Sequence, residues 1–280
     1  MLAKLGAVAN SKKNRVHGER KIFDGPFDHF QNKDNAAFGN DQWLEHCKKT
    51  LSDWQQVREP SRLSFGWLKK TIKTKLMAKD YCPAHLRPMA DLLNEKEFEG
   101  NQCFVLDVGG GFGDNFYGLE TALGDSSRIK YFVVDDPKQA AFGREVMGDR
   151  PIVFQSQIEL SIRYQVATLV STLQYVEDWK SLLYTISQVT EKHLYICRTP
   201  LQNSKPDFCL MQTISFQPEF EEIGKENLWV LNEESLLDYL SALGWRLSSK
   251  SDISDYSANL WNLPKEFQEV YYANLLFEKV

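Results

Sequence analysis

The stretch VLDVGGGFGDN, Val105–Asn115, decides the fold. An apolar run leads straight into glycines at positions 109, 110, 111 and 113. Glycine stands where the backbone must turn at positive φ or where something must come close to it. An apolar run that stops at such a turn and is followed by a helical pattern reads as strand, loop, helix. In an open parallel sheet this turn lies at the carboxyl end of a strand, where ligands bind near the point at which strand order reverses.

Outward from this stretch, strand and helix patterns alternate. NFYGLETALG reads as a helix closed by Gly124, and KYFVVDD as a second strand, with Pro137 suited to the first turn of the next helix. PIVFQ, VATLVS and HLYIC read as the third, fourth and fifth strands. EDWKSLLYTISQVT has helical spacing at Trp179, Leu182, Leu183, Ile186 and Val189. The stretch from about 200 to 230 reads as irregular. NEESLLDYLSALG is a helix with Asn232 as N-cap and Gly244 as its stop, and WRLSSK and YYANLLFEK read as two final strands. Alternation of this kind predicts a parallel sheet covered on both faces.

Residues 1–100 differ. DQWLEHCKKTLSDWQQV, FGWLKKTIKTKLMAKD and HLRPMADLLNEKEF all read as helices, so this part is expected to be a helical extension acting as a lid on a sheet domain of residues 101–280. Charge divides the same way. Residues 1–100 carry 18 Lys+Arg against 13 Asp+Glu, and the rest carry 15 against 25. An acidic second part argues against nucleic acid as partner. Arg62 to Lys79 holds six basic residues and no acid, with Leu68, Ile72 and Leu76 on one helical face. Such a helix fits peripheral contact with an anionic membrane surface, and equally the solvated side of a packed helix. The five cysteines form no C-x-x-C pair, and no apolar run reaches the length that spans a bilayer. The first residues are too weakly apolar for a secretory signal, so the cytoplasm is the expected compartment.

The glycine pattern is D-x-G-x-G-x-G from Asp107 to Gly113. No frame gives the dinucleotide fingerprint G-x-G-x-x-G, because counting from Gly109 the sixth position is Asp114, and the G-K-[ST] of a P-loop is missing. With Asp135 ending the next strand, 22 residues after Gly113, the sequence resembles the class I S-adenosylmethionine-dependent methyltransferases. VSTLQYVEDW, ICRTP and FDGPFDHFQNKDNAAFG are similar, more narrowly, to a bacterial methyltransferase group associated with surface-polysaccharide genes. The resemblance implies an α/β Rossmann-like, mostly parallel sheet with a final antiparallel strand, and S-adenosyl-L-methionine as cofactor. It implies a small or glycan-like acceptor, methylated at oxygen. Asp107, Gly109, Gly110, Gly111 and Gly113 would then line the cofactor, with Asp135 on its ribose hydroxyls and Asp136, one residue on, as the competing candidate. A cofactor-binding protein without turnover is the alternative reading.

Methyl transfer from a sulfonium is an in-line displacement that positioning can accelerate, with a base helping a hydroxyl acceptor. Groups for this belong at the ends of the fourth and fifth strands. Gln174 suits the cofactor wall and Tyr175 the acceptor wall. No [DNS]-P-P-[YFW] motif and no strand-end carboxylate is present there, so neither a base-amino methyltransferase nor a metal-dependent enzyme is expected, and no metal. Arg198 would clamp a carboxylate or phosphate on the acceptor, or pair with Glu177 or Asp178, and Thr199 would hydrogen-bond the acceptor. Among the histidines, His29 lies in a segment that would fold over the cofactor. His85, in CPAHLRP, reads as a turn residue. No general base stands out.

Overall fold

The computed structural model describes residues 22–32, 36–38, 40–58, 82–95, 98, 102–120, 122–123, 126–215, 222–253 and 260–280, and the side chains of 50–58 stand outside that description. The helix expected over FGWLKKTIKTKLMAKD and the basic stretch 62–79 lie outside the described residues.

The quoted stretch begins the central strand, β2, Cys103–Val108, preceded in the chain by β1, Phe23–Phe27. Strands β3 (Ile129–Val134), β4 (Ile152–Gln155), β5 (Tyr164–Val170) and β6 (Thr190–Gln202) follow. β3 lies parallel to β2 on one side with β4 beyond it, while β5 lies parallel to β2 on the other side with β6 beyond it. Strand order therefore reverses between β2 and β5, and the glycine turn emerges at that point. β10 (Tyr271–Lys279) runs antiparallel to β6, and β9 (Trp245–Asp252) antiparallel to β10. The architecture is thus the Rossmann-like, mostly parallel sheet with a final antiparallel strand.

Both faces are covered. The odd residues Val105, Tyr131 and Val133 pack with α2 (Arg87–Leu93), α3 (Asp114–Leu119) and α4 (Pro137–Met147), and Cys47 of α1 (Asp41–Arg58) joins the same layer. Leu106, Phe132 and Ile196 face the opposite layer of α5 (Trp179–Val189) and α6 (Glu233–Ala242). Strands buried on both faces read as continuous apolar runs, which is why these were visible in the sequence. The helix caps follow the same logic. Asp136 accepts from Lys138 N ahead of Pro137, Asp178 from Ser181 N, and Asn232 from Ser235 N.

Three features differ from expectation. α3 is a single short helix that stops at Leu119, well before Gly124. The stretch read as irregular holds an antiparallel hairpin, β7 (Phe208–Ile214) and β8 (Gly224–Asn232). The first hundred residues contribute a strand as well as helices, because β1 pairs antiparallel with β7. β8 pairs with β6, in parallel, only at Leu201 and Gln202, beyond the part of β6 that pairs with β5. The three-stranded unit β1–β7–β8 therefore departs from the main sheet at its carboxyl edge. Its apolar face, Phe23, Phe208, Leu210, Leu228 and Val230, packs with Tyr175 at the end of β5.

The caps give a direct test of the fold. Asn232→Ala removes the side-chain acceptor at the start of α6 and is expected to cost about 1 kcal/mol. Urea unfolding should show a lowered midpoint with unchanged slope.

Candidate functional site

The glycine turn is organised by Asp107. Its side chain is fully buried at the end of β2, with Oδ2 accepting from Tyr131 OH at 2.9 Å and Asn115 Nδ2 at 3.1 Å. Oδ1 is buried without a hydrogen-bond partner. Burial pushes the carboxyl up to about 7, against the lowering effect of its two hydrogen bonds. Gly110 must lack a side chain here, since a Cβ would fall 2.3 Å from Asp107 Oδ2. Gly109 and Gly113 flank it in the same turn.

Gly111 forms the crest of the turn, at φ +56°, with no atom closer to a would-be Cβ than Asp114 Oδ1 at 3.5 Å. Its N–H donates to Asp135 Oδ2 at 2.7 Å, and Asp135 Oδ1 accepts from Asp136 N at 2.7 Å. Asp135 therefore faces the turn, while exposed Asp136 spends its carboxylate capping α4. Burial also raises Asp135 and pushes Asp114 up to about 6. Three carboxyl groups thus surround one glycine turn, each held toward its neutral form by burial.

The ends of β5 and β6 carry the other candidates. Ser171 and Arg198 are the two non-glycine residues with positive φ among the described residues, at 56° and 54°. Such backbone is held only where surroundings enforce it, and it clusters at functional sites. At Arg198 the cause is a β-bulge, because Thr199 pairs with Ala273 and Cys197 with Asn274, leaving Arg198 between them. Its N–H donates instead to Asn274 Oδ1 at 3.2 Å. The Arg198 charge lowers both Asp114 and His85. Asp178, considered as its partner, caps α5. Thr199 is fully buried with an unpartnered hydroxyl. Gln174 is buried, its Nε2 reaching Arg198 O at 3.5 Å and its Oε1 unpartnered. Tyr175 OH donates to Gln212 Oε1 of β7 at 3.0 Å.

A cover reaches this edge from the N-terminal part. Asn227 of β8 accepts from Gln31 N and donates to Gln31 O, as a strand would. The buried carboxylate of Glu226 accepts from Phe38 N at 2.9 Å. Asn40 caps α1 through Trp43 N and ties it to Ile223 O. Phe38 stands edge-on to both Trp43 and Tyr175. Farther along α1, Cys47 packs in the layer that holds Phe112 of the glycine turn, and Asp114 and Asp135 both act on its thiol. His29 is exposed in the bend after β1, with its carbonyl accepting from Gln31 Nε2.

The structure therefore gathers Asp107, the glycines, Asp135, Gln174, Tyr175, Arg198 and Thr199 along one edge of the sheet. It adds Asp114, Asn115, Tyr131 and His85, which sequence reasoning did not select. Asp114 and Asn115 stand inside the quoted stretch, so their signal was present. Tyr131 and His85 carried none.

No protein-family model matches the chain, and no curated protein sequence is similar to it. Its likeness to solved structures is remote. The magnesium protoporphyrin IX methyltransferase of Synechocystis PCC 6803, crystallised with S-adenosylhomocysteine, is 12% identical over 83% of this chain and 95% of its own, with TM-score 0.45. The Burkholderia thailandensis 1,6-didemethyltoxoflavin N1-methyltransferase is 16% identical over 94% and 96%, with TM-score 0.45. An amino pentose methyltransferase from Micromonospora echinaspora is 10% identical over 79% and 99%, with TM-score 0.44. Likenesses of this size are too low to assign a family.

Asp107 yields a pH prediction. Its native pKa lies near 7, above the ordinary carboxyl value of 3.8. Between these values the folded chain binds more protons than the unfolded one, so this group's contribution to stability is lost as pH rises through the window. Asp107→Asn removes that loss, because its amide can still accept from Tyr131. The melting temperature of the variant relative to wild type should be higher at about pH 8 than at about pH 5. An equal difference at both pH values would mean that Asp107 does not titrate in this range.

Proposed function

We propose that the chain is an S-adenosyl-L-methionine-dependent methyltransferase that acts at oxygen on a small or glycan-like acceptor. One observation carries this reading, the convergence of Asp107, Asp114 and Asp135 on the glycine turn, each with its carboxyl raised by burial. A pyrophosphate placed at this turn would meet three acidic groups and be opposed by them. A cationic ligand would be favoured, and its arrival would return the carboxyls to their charged forms. S-adenosylmethionine, when bound, supplies a methyl group already activated on a positive sulfonium.

The residues fit such a molecule. The open crest at Gly111 leaves room for close approach. Asp107 Oδ1 and Gln174 Oε1 are buried acceptors without partners, suited to ligand N–H or O–H groups. Asp135 uses one lone pair on each oxygen and keeps others for ribose hydroxyls. The N-terminal part acts as the lid, tied to β8 where Phe38 meets Glu226 and to Ile223 through Asn40. Arg198, Thr199 and Tyr175 hold the acceptor along the ends of β5 and β6, and the protein's work there is orientation and exclusion of water.

Calorimetry on the full chain should show binding of S-adenosylmethionine or S-adenosylhomocysteine and none of NADH. NADH binding alone would overturn the reading. Asp135→Ala should weaken cofactor binding by roughly tenfold to a few hundredfold, the worth of one or two charge-assisted hydrogen bonds. Asp136→Ala should instead lower stability by about 1 kcal/mol through its lost cap, with a smaller change in affinity.

Arg198→Lys separates an acceptor clamp from a structural ion pair. As a clamp, it keeps its charge but loses the planar fork. Cofactor affinity and melting temperature should hold while methyl transfer to a panel of hydroxylated acceptors falls. A lowered melting temperature together with lost cofactor affinity would mark the residue as structural.

A further inference from the structure

Gly109, Gly110 and Gly111 follow one another in the turn, and their surroundings differ. At Gly110 a Cβ would fall 2.3 Å from Asp107 Oδ2. At Gly109, where φ is +72°, a Cβ would fall 2.3 Å from both Cγ2 and Oγ1 of Thr172 and 2.8 Å from its Cβ. At Gly111 a Cβ would meet nothing closer than 3.5 Å. The protein's own packing therefore forbids a side chain at the first two glycines and leaves the third open. Asp107, under Gly110, belongs to the strand that enters the turn. Thr172, against Gly109, stands 63 positions further on, just after β5.

Gly109 is held by two strands at once. Its N–H donates to Val134 O at the end of β3, at 2.7 Å. Its α-carbon lies against the Thr172 side chain, whose Oγ1 stands 3.2 Å from Val170 O and 3.5 Å from Gly109 O. A threonine ahead of a helical turn ordinarily offers its oxygen to a backbone N–H of that turn. Thr172 precedes the 3-10 turn Leu173–Tyr175 and makes no such bond. Its side chain is turned to the glycines instead. Its carbonyl accepts from Tyr175 N at 2.9 Å, which closes the turn that carries Gln174 and Tyr175. One residue back, Ser171 N donates to Cys197 O at 2.8 Å and ties the stretch to β6. Thr172 thus meets the glycine turn with its side chain and carries the wall at the end of β5 with its backbone.

We propose that Thr172 is a positioning residue, whose side chain backs Gly109 and so sets the glycine turn, with whatever it binds, against the wall of residues 173–175. The methyl carbon and the hydroxyl oxygen stand equally close to the Gly109 position, so the outline of the side chain carries the effect. A side chain of the same outline serves equally, and a smaller one lets the turn shift toward β5. Group transfer between two bound molecules depends on their mutual placement, and a contact that fixes one wall against the other acts on that placement without touching either molecule. This inference rests on the methyltransferase reading only in the choice of probe ligand.

The test uses the full chain, with S-adenosylhomocysteine as the probe in titration calorimetry. Thr172→Ala removes the two nearest atoms and should weaken binding by about tenfold, while Thr172→Val keeps the outline and should stay within about threefold of wild type. Hydrogen exchange gives a readout that needs no ligand. The Gly111 amide, bonded to Asp135 Oδ2, should exchange faster in Thr172→Ala and as in wild type in Thr172→Val. A melting temperature lowered in Thr172→Ala, with affinity and Gly111 exchange unchanged, would mark ordinary packing and overturn the proposal. Equal losses in the alanine and valine variants would assign the effect to the hydroxyl bond and overturn it as well. A double-mutant cycle in urea checks the contact itself. Gly109→Ala should lower the midpoint in wild type and lower it less in Thr172→Gly, where the three atoms it would strike are gone. Additive midpoint changes would overturn the contact. If the wild type binds no S-adenosylhomocysteine while the cycle is non-additive and Gly111 exchange responds as stated, the cofactor reading falls and the role of Thr172 stands.

Discussion

The buried carboxyl of Asp107 is the constraint on which the site depends. It closes the central strand, and its one bonded oxygen needs a phenol from β3 and an amide from α3. Those two donors fix the spacing of β3 and the start of α3 relative to the turn between them. The same oxygen forbids a side chain at Gly110, so the backbone of the turn passes directly over it. The second oxygen stays buried and unserved. A lone buried acceptor costs stability, and native proteins keep few of them. Its position, at the switch point of the sheet and under an open glycine crest, is where a ligand would repay that cost.

The two strands that end beside it are distorted in a matching way. β5 runs into Ser171 and β6 into Arg198, both at positive φ. In β6 the bulge leaves Arg198 out of the ladder with β10 and passes its lost bond to the side chain of Asn274. It also shifts the register of the faces, because Cys197 lies in one layer and Leu201 in the other, although four positions apart they would share a face in a regular strand. Bulges of this kind occur at the rims of sheets, where they re-aim the chain.

The central sheet was legible in the sequence because its strands are buried on both faces and need no polar residue. Asn232 was readable as a cap for the reason that makes it one, a short acceptor before an apolar period, while Asp136 and Asp178, read for other roles, cap α4 and α5 in the structure. The glycine turn and Asp135 were readable because glycine and acid stand at fixed offsets from strands. β7 and β8 were hidden by their own function. Gln212, Glu226 and Asn227 interrupt the apolar pattern, yet each is buried and bonded to Tyr175 or to the backbone of residues 31 and 38. A polar residue in a strand whose partner lies some 190 positions away leaves no local trace. His85 was hidden for a related reason. Its carbonyl, not its ring, carries the contacts that place it, and backbone contacts have no residue code.

Those same hidden strands join parts of the site that the sequence keeps apart. Glu226 is buried, and its side chain accepts from Phe38 N, as a buried polar group requires. Through that bond the segment leading into α1 is held on β8. Phe38 in turn stands against the ring of Tyr175, whose hydroxyl is fixed by Gln212 one strand over. α1 continues from there to set Cys47 near Asp114 and Asp135. Residues 36–38, α1 and the wall beside β5 and β6 are consequently parts of one bonded network. Displacing Phe38 from Tyr175 would disturb α1 and the strand ends together.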